Sequence, residues 1–215
     1  MMKDIENITL YAQKHTTPED EILHRLYRET NLTTVYPRML SGHLQGQLLK
    51  MISQMISPSR ILEIGTFTGY SAICMARGLA HDGILHTIDI NDELAETAKR
   101  YFRLAGLENA IVMHVGDAIR IIPEIDENFD LVFIDGDKEE YLQYYEKVFP
   151  KINRGGFILA DNVLWGGKVL AEYGDDDKET RCIREFNAFV AADDRVERLL
   201  LPFRDGIFMI RKISA

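Results

Sequence analysis

The stretch RILEIGTFTGYSAICMARGLA, from Arg60 to Ala80, decides the fold that we expect for this chain. It opens with a short apolar run typical of a buried strand, continues through glycines at 65 and 69, and becomes a helical apolar pattern near Tyr70. Strand, loop and helix in this order form the first half of a βαβ unit. Because the same alternation continues to Asp161, we predict an α/β fold with a mostly parallel, doubly wound sheet.

The segments on either side of this alternating region carry different patterns. Residues 1–58 predict an N-terminal extension of two helices, which precedes a core at residues 59–215 within a single domain. The first helix is expected to begin at a capping box formed by Thr17 and Asp20, with Pro18 at its first position. The second is expected to run from about Ser41 until Pro58 ends it.

Signals near the other elements predict their bounds. Asn91 is the expected N-cap of a helix, and Gly106 is the expected left-handed residue after its end. After Asp161 comes a loop that contains glycine and acidic residues, then a helix near residues 179–192. The last two apolar runs predict an antiparallel hairpin at the edge of the sheet.

Composition narrows the class of protein. A chain of 215 residues with 46% hydrophobic content is long enough for one large core. The net charge of −9 argues against a dedicated nucleic-acid binder, although it does not exclude an enzyme that acts on one. Two distant cysteines and the lack of a signal or membrane-spanning pattern predict a soluble, cytoplasmic protein.

Polar residues follow the strands, where an open α/β sheet binds its ligands. The loop from Gly65 to Gly69 lacks the third glycine of a dinucleotide fingerprint, whereas Asp89 stands where a carboxylate can accept both hydroxyls of a ribose. A cofactor with a ribose but no pyrophosphate fits best, and S-adenosylmethionine is the common one. A nicotinamide cofactor and a purely structural turn stay open as alternatives.

Three oxygen donors, Asp135, Asp161 and Asn162, follow two strands that we expect to be neighbours. Such donors suit Mg²⁺ or Ca²⁺, and a bound cation would remove the repulsion between the two carboxylates. The alternative is that the aspartates only cap the segments that follow them.

Four motifs together resemble a known family: ILEIGTFTGYSA, TIDIN, FIDGDKEEYLQYYE and GGFILADNVLWGGKV. They are similar to those of the cation-dependent O-methyltransferases typified by catechol O-methyltransferase and caffeoyl-CoA O-methyltransferase, in particular the compact bacterial members. The resemblance runs from about Met39 to the C-terminus. It implies a Rossmann-like methyltransferase fold with a seven-stranded sheet.

The resemblance also implies roles for individual residues. Lys138 would be the general base, and Trp165 would lie in a loop that faces the substrate. The metal, Mg²⁺ or else Ca²⁺ or Mn²⁺, would be held by Asp135, Asp161 and Asn162. The implied contacts with S-adenosylmethionine are Ser41, Glu63, Gly65, Ser71, Asp89, Ala118 and Asp137.

One position of the substrate-facing loop departs from the pattern of the plant enzymes. Gly166 replaces the asparagine that the plant enzymes carry after the tryptophan, which argues against a bulky acyl-CoA ester. The aromatic residues of YLQYYEKVF, from Tyr141 to Phe149, are expected to pack in the core.

We therefore expect an S-adenosylmethionine-dependent, metal-dependent O-methyltransferase that acts on a small catechol-like or hydroxylated aromatic compound. Methylation of a hydroxylated uridine in tRNA is the first alternative, and an NAD-dependent oxidoreductase is the second. A homodimer is expected by analogy with relatives.

Overall fold

The computed structural model describes residues 2–170 and 177–214, so residues 171–176 of the predicted acidic loop lie outside the described part. The described residues form one seven-stranded sheet. Its strands are β1 (Arg60–Ile64), β2 (Ile84–Asp89), β3 (Ile111–Val115), β4 (Phe129–Ile134), β5 (Ile152–Asp161), β6 (Val196–Leu201) and β7 (Ile207–Lys212). They lie in the order β3-β2-β1-β4-β5-β7-β6, and β7 is antiparallel to both β5 and β6, whereas the other neighbouring strands of this sheet pair in parallel.

Helices cover both faces of this sheet, because the strands alternate apolar side chains between two hydrophobic clusters. In β1, for example, Leu62 packs in one cluster and Ile61 in the other. The helices are α1 (Met2–Lys14), α2 (Glu21–Thr33), α3 (Gly42–Ile56), α4 (Tyr70–Ala76), α5 (Ala95–Leu104), α6 (Ala118–Glu124), α7 (Tyr141–Val148) and α8 (Lys178–Ala192). The predicted α/β class and mostly parallel sheet are confirmed.

The strand order reverses between β1 and β4, which pair directly in parallel. In this register Ile64 lies beside Ile134, so Gly65 and Asp135 leave the sheet side by side. Such a reversal opens a crevice at the carboxyl ends of the strands.

The N-terminal extension differs from its prediction in two respects. It contains a third helix, α1, whose pattern was not identified in the sequence. The predicted capping box of Thr17 and Asp20, with Pro18 at the first helical position, is wrong: α2 begins at Glu21, and Asp20 caps it by accepting from the amides of Ile22 and Leu23. The Asp20 carboxylate takes this role because it satisfies two amides that would otherwise lack partners.

Three other local predictions had different outcomes. Asn91 is not the N-cap of α5, because its side chain closes a turn onto Glu93 and the helix begins only at Ala95. Gly106 does adopt the left-handed conformation, with a φ of 68°. The C-terminal hairpin also forms, but β7 inserts between β5 and β6.

None of the helices in the described ranges is both long enough and apolar enough to cross a bilayer.

Candidate active site

A cavity of about 1210 Å³ lies over the carboxyl ends of β1, β2, β4 and β5. Its lining comes from the loops after these strands, from the residues before α3 and from the turn between β6 and β7. Most of the residues with predicted roles lie in this lining: Ser41, Gly65, Ser71, Asp89, Ala118, Asp135, Asp137, Lys138, Asp161, Asn162 and Trp165.

The loop after β1 is shaped for a close approach to a ligand. Gly65 has a φ of 101°, and a Cβ at this position would collide with the backbone carbonyl of Asp135. Asp89 holds the loop from the next strand: its Oδ2 accepts from the Phe67 amide at 2.6 Å, and its Oδ1 accepts from the Asn91 amide at 2.9 Å. Glycine at this position therefore lets the ends of β1 and β4 approach each other closely at the edge of the cavity.

Glu63 is the predicted cofactor residue that does not line the cavity. Its side chain is fully buried in β1 and accepts from the Thr87 hydroxyl at 2.6 Å. Burial raises the pKa of Glu63 to about 8, and the carboxylates of Asp135 and Asp89 act in the same direction. Its Oε1 has no hydrogen-bond partner among the residues that the structure describes, so a buried acceptor is left unsatisfied beside the cavity.

The remaining predicted cofactor residues surround the same crevice. Ser41 precedes α3, Ser71 lies in the first turn of α4, and Ala118 begins α6. Asp137 is exposed and caps the short turn at residues 138–140 through a 2.9 Å bond from the Glu139 amide. These positions and the loop after β1 all line the same cavity.

The predicted metal ligands come together at the ends of β4 and β5. Asp161 is buried, and its Oδ1 accepts from the Asn162 amide at 2.9 Å. Asn162 itself has a φ of 57°, an uncommon conformation for a residue other than glycine. Burial raises the pKa of Asp135 to about 6, and Asp161 adds to the effect while Lys138 opposes it.

This donor set fits a hard divalent cation. Two neighbouring carboxylates in a partly buried site repel each other, and a dication would offset that repulsion. Within residues 2–170 and 177–214, no three His, Cys, Asp or Glu side chains form a metal-binding group. The set offers two carboxylates and one amide, so water or substrate oxygens would supply the remaining ligands.

Lys138 lies at the wall of the cavity with its side chain mostly buried. Its Nζ donates to Asp135 Oδ1 at 3.0 Å and to the Tyr141 hydroxyl at 2.6 Å. Tyr141 in turn donates to the carbonyl of Asp161 at 3.0 Å. Tyr141 therefore packs in the core as expected, yet it also joins the site, a role that the aromatic pattern of α7 did not reveal.

Trp165 lies in a short helical turn after β5 and lines the cavity. It packs against the cluster formed with α7 and α8, and Lys168 Nζ lies 5.7 Å from its ring centre. Its Nε1 is buried without a hydrogen-bond partner in the described part of the chain.

Two residues of the site have no signal in the sequence. Gln45 of α3 donates to Asp161 at 2.6 Å, and Arg204, in the turn before β7, donates to Gln45. Gln45 is 116 positions from Asp161, and Arg204 is 159 positions from Gln45. No local sequence motif therefore connects them.

Comparison with known proteins agrees with this architecture. A family described as O-methyltransferase matches residues 13–213. Caffeoyl-CoA O-methyltransferase 1 of Eucalyptus globulus is 34% identical over an alignment of 218 positions. The alignment covers 88% of this chain and 89% of that enzyme. Among solved structures, an O-methyltransferase from Bacillus cereus in complex with SAH superposes with a TM-score of 0.89 at 28% identity, covering 96% of this chain and 97% of that one.

A second solved structure is TomG of Streptomyces achromogenes, an O-methyltransferase involved in tomaymycin synthesis and crystallised with SAM. It is 30% identical with a TM-score of 0.87, and covers 97% of this chain and 96% of its own. The family indicated by the four sequence motifs is thereby confirmed. This chain belongs to the S-adenosylmethionine-dependent O-methyltransferases, the family that includes the caffeoyl-CoA O-methyltransferases.

Proposed function

We propose that this enzyme is a divalent-cation-dependent O-methyltransferase that methylates a hydroxyl of a small catechol-like or hydroxylated aromatic compound. The observation that carries the proposal is the meeting of Asp135, Asp161 and Lys138 at adjoining strand ends, inside the cavity that also holds the glycine loop and Asp89.

The cofactor half of the cavity has donors and acceptors suited to S-adenosylmethionine. Asp89 is proposed to accept the ribose hydroxyls, for which its oxygens keep free lone pairs beside the two amides they already bind. Gly65 lets the backbone approach the ligand, and Glu63 provides a buried acceptor behind it. Ser41, Ser71, Ala118 and Asp137 are proposed as further contacts around the cofactor.

The other half would hold the cation and the acceptor. Asp135, Asp161 and Asn162 are the proposed ligands of Mg²⁺, Ca²⁺ or Mn²⁺. When bound, the cation supplies positive charge that makes a nearby hydroxyl more acidic.

Lys138 is proposed to accept the proton of the acceptor hydroxyl. Its amine must be unprotonated at that moment, and Asp135 and Tyr141 hold Nζ at the wall of the cavity. As the acceptor oxygen bonds to the methyl carbon, the carbon–sulfur bond breaks and S-adenosylhomocysteine leaves. Holding the two reactants in line can lower the barrier by about 7 to 11 kcal/mol.

The charges of the cavity favour a small acceptor without negative charge. Nine acidic residues and three basic ones occur among the described residues of the lining. This field attracts the cationic cofactor and a metal, whereas it repels a CoA ester or tRNA. Trp165 offers a flat apolar surface to an aromatic ring.

The test is a screen of catechols, flavonoids and hydroxyuridine-containing tRNA with labelled S-adenosylmethionine, with and without EDTA. We expect transfer to catechols that stops with EDTA and returns with Mg²⁺ or Mn²⁺. Asp161→Ala should abolish turnover while cofactor binding, measured by calorimetry, persists. Activity that resists the chelator would refute the metal role, and transfer to tRNA alone would refute the acceptor class.

A homodimer is proposed as well. Apolar side chains stay exposed on α1 and α3, among them Tyr11, Met51 and Met55. Burial of such side chains against a second copy would be favourable. Sedimentation of the wild type and of Met55→Glu would test this, because the charge should shift a dimer toward monomer.

A further inference from the structure

The side chain of Gln45 connects the N-terminal helices to the proposed metal site. It is buried, and its Nε2 donates to Asp161 Oδ2 at 2.6 Å. Its Oε1 accepts from Arg204 Nη1. Arg204 also donates to the backbone carbonyl of Ser41. The guanidinium therefore links the turn between β6 and β7 to the start of α3.

The two partners of Gln45 fix the orientation of its amide. A carboxylate only accepts hydrogen bonds and a guanidinium only donates them. If the amide were flipped, its oxygen would face Asp161 and its NH₂ would face Arg204, and both bonds would be lost. Arg204 thus keeps the NH₂ group directed at Asp161.

Asp161 is held at three points. Its Oδ1 accepts from the Asn162 amide, its backbone carbonyl accepts from Tyr141, and its Oδ2 accepts from Gln45. Of these three donors, only Gln45 hydrogen-bonds to Oδ2 of the carboxylate. Each oxygen still has a lone pair for a cation after accepting one bond.

The Gln45 side-chain amide is neutral, which affects the charge that Asp161 can offer to a cation. Asp135 is paired with Lys138, whereas the direct side-chain partner of Asp161 is neutral. A neutral donor orients a carboxylate without neutralising it, so Asp161 can offer its full negative charge to a cation. Partners of this kind orient metal ligands in many proteins.

Building on the proposed function, we propose that Gln45, oriented by Arg204, is a positioning residue that holds the Asp161 carboxylate in the rotamer required for divalent-cation binding. Gln45 does not line the cavity. Its effect is therefore expected on cation affinity rather than on cofactor affinity.

The test compares Gln45→Met with Gln47→Met by Mn²⁺ titration in the presence of S-adenosylhomocysteine, followed by electron paramagnetic resonance. Gln47 lies on the same helix and no side-chain hydrogen bond is found for it within the described residues, so it controls for the substitution itself. We expect Gln45→Met to weaken Mn²⁺ binding about tenfold or more, while Gln47→Met matches the wild type. Calorimetry should find unchanged S-adenosylhomocysteine affinity in both variants.

Turnover gives a second measurement that a purely structural role would not move. In Gln45→Met the Mn²⁺ concentration for half-maximal activity should rise, and kcat should largely recover at saturating Mn²⁺. If Gln45→Met does not fold, the same measurements can be made on Gln45→Asn. It keeps an amide but is one methylene shorter, so its donor is withdrawn from Asp161 and the same weakening is expected.

The possible failures are distinguishable. Wild-type affinity for Mn²⁺ in the folded Gln45 variants would overturn the positioning role and leave the proposed function intact. If the wild type itself binds no Mn²⁺, the metal-dependent function fails, and this inference fails with it.

Discussion

At the scale of single residues, the proposed chemistry depends on the position of the Lys138 amine. Its ion pair with Asp135 and its bond to Tyr141 direct Nζ into the crevice rather than into solvent, where most lysines point. The motif around Asp135 predicted both residues from sequence. The bond to Tyr141 depends on how α7 packs under the strand ends, and the sequence pattern did not reveal it.

Lys138→Met should lower kcat about 10²- to 10⁴-fold, because it removes the proton acceptor and keeps most of the aliphatic stem. S-adenosylmethionine affinity, measured by calorimetry, should not change. Lys147→Met, at an exposed position on α7, is the matched control and should retain full activity. A Lys138→Met enzyme with wild-type kcat would contradict the assignment.

Glu63 should make the stability of the cofactor-free protein depend on pH. Burial raises its pKa to about 8, whereas a glutamate in the unfolded chain titrates near 4.5. The folded state therefore holds this proton more tightly, and the resulting stability is fully present below about pH 4.5. It is lost as pH rises from there through 8.

Across this window the contribution of Glu63 falls on the order of 1 kcal/mol per pH unit. Glu63→Gln keeps the size of the side chain and an oxygen for Thr87, but it cannot titrate. Urea unfolding between pH 5.5 and 8.5 should show stability falling more steeply in the wild type than in the variant. Parallel curves for the two proteins would show that Glu63 is not buried as described.

At the scale of elements, the junction of β1 with its loop is where geometry is most demanding. The backbone turns sharply at Gly65 directly beside the carbonyl of Asp135, so two strand ends meet without room for a side chain. The sequence predicted a loop from Gly65 to Gly69, because glycine adopts positive φ more readily than other residues. The helix starts were harder to predict, since several polar residues near α2 and α5 are each able to cap a helix.

Gly65→Ala should abolish or strongly weaken S-adenosylmethionine binding. Its positive φ is strained for alanine, and the added Cβ would collide with the carbonyl of Asp135. Gly106→Ala is the matched control: its φ is also positive, but nothing lies within 4 Å of the added Cβ. The free energy of unfolding of Gly106→Ala should fall by about 1 to 2 kcal/mol, because alanine is strained in the left-handed conformation. Its cofactor affinity should not change. Equal cofactor affinities in the two variants, measured by calorimetry, would contradict the role of the loop.

At the scale of the whole molecule, the net charge of −9 and the acidic cavity act in the same direction. Both raise the local concentration of cations and lower that of anions, and salt screens both effects.

A catechol that carries a carboxylate should therefore have a higher KM than a neutral catechol of similar size, and the gap should narrow as NaCl rises from 20 to about 500 mM. Steady-state kinetics at several salt concentrations would measure this. A lower KM for the anionic catechol, or a gap that salt does not change, would show that the acidic lining does not face the acceptor.

The sequence by itself determined the order of elements from β1 onward and the family, and it predicted the strand ends that carry chemistry. These depend on hydrophobic periodicity and on residues close together in the chain, such as Asp135 and Lys138, which local reasoning can detect. Only the tertiary structure decided that Glu63 lies behind the cavity, that Tyr141 hydrogen-bonds to Lys138, and that Gln45 and Arg204 support Asp161. Most of these contacts join segments far apart in sequence, and they form only when the packing of helices on the sheet brings the segments together.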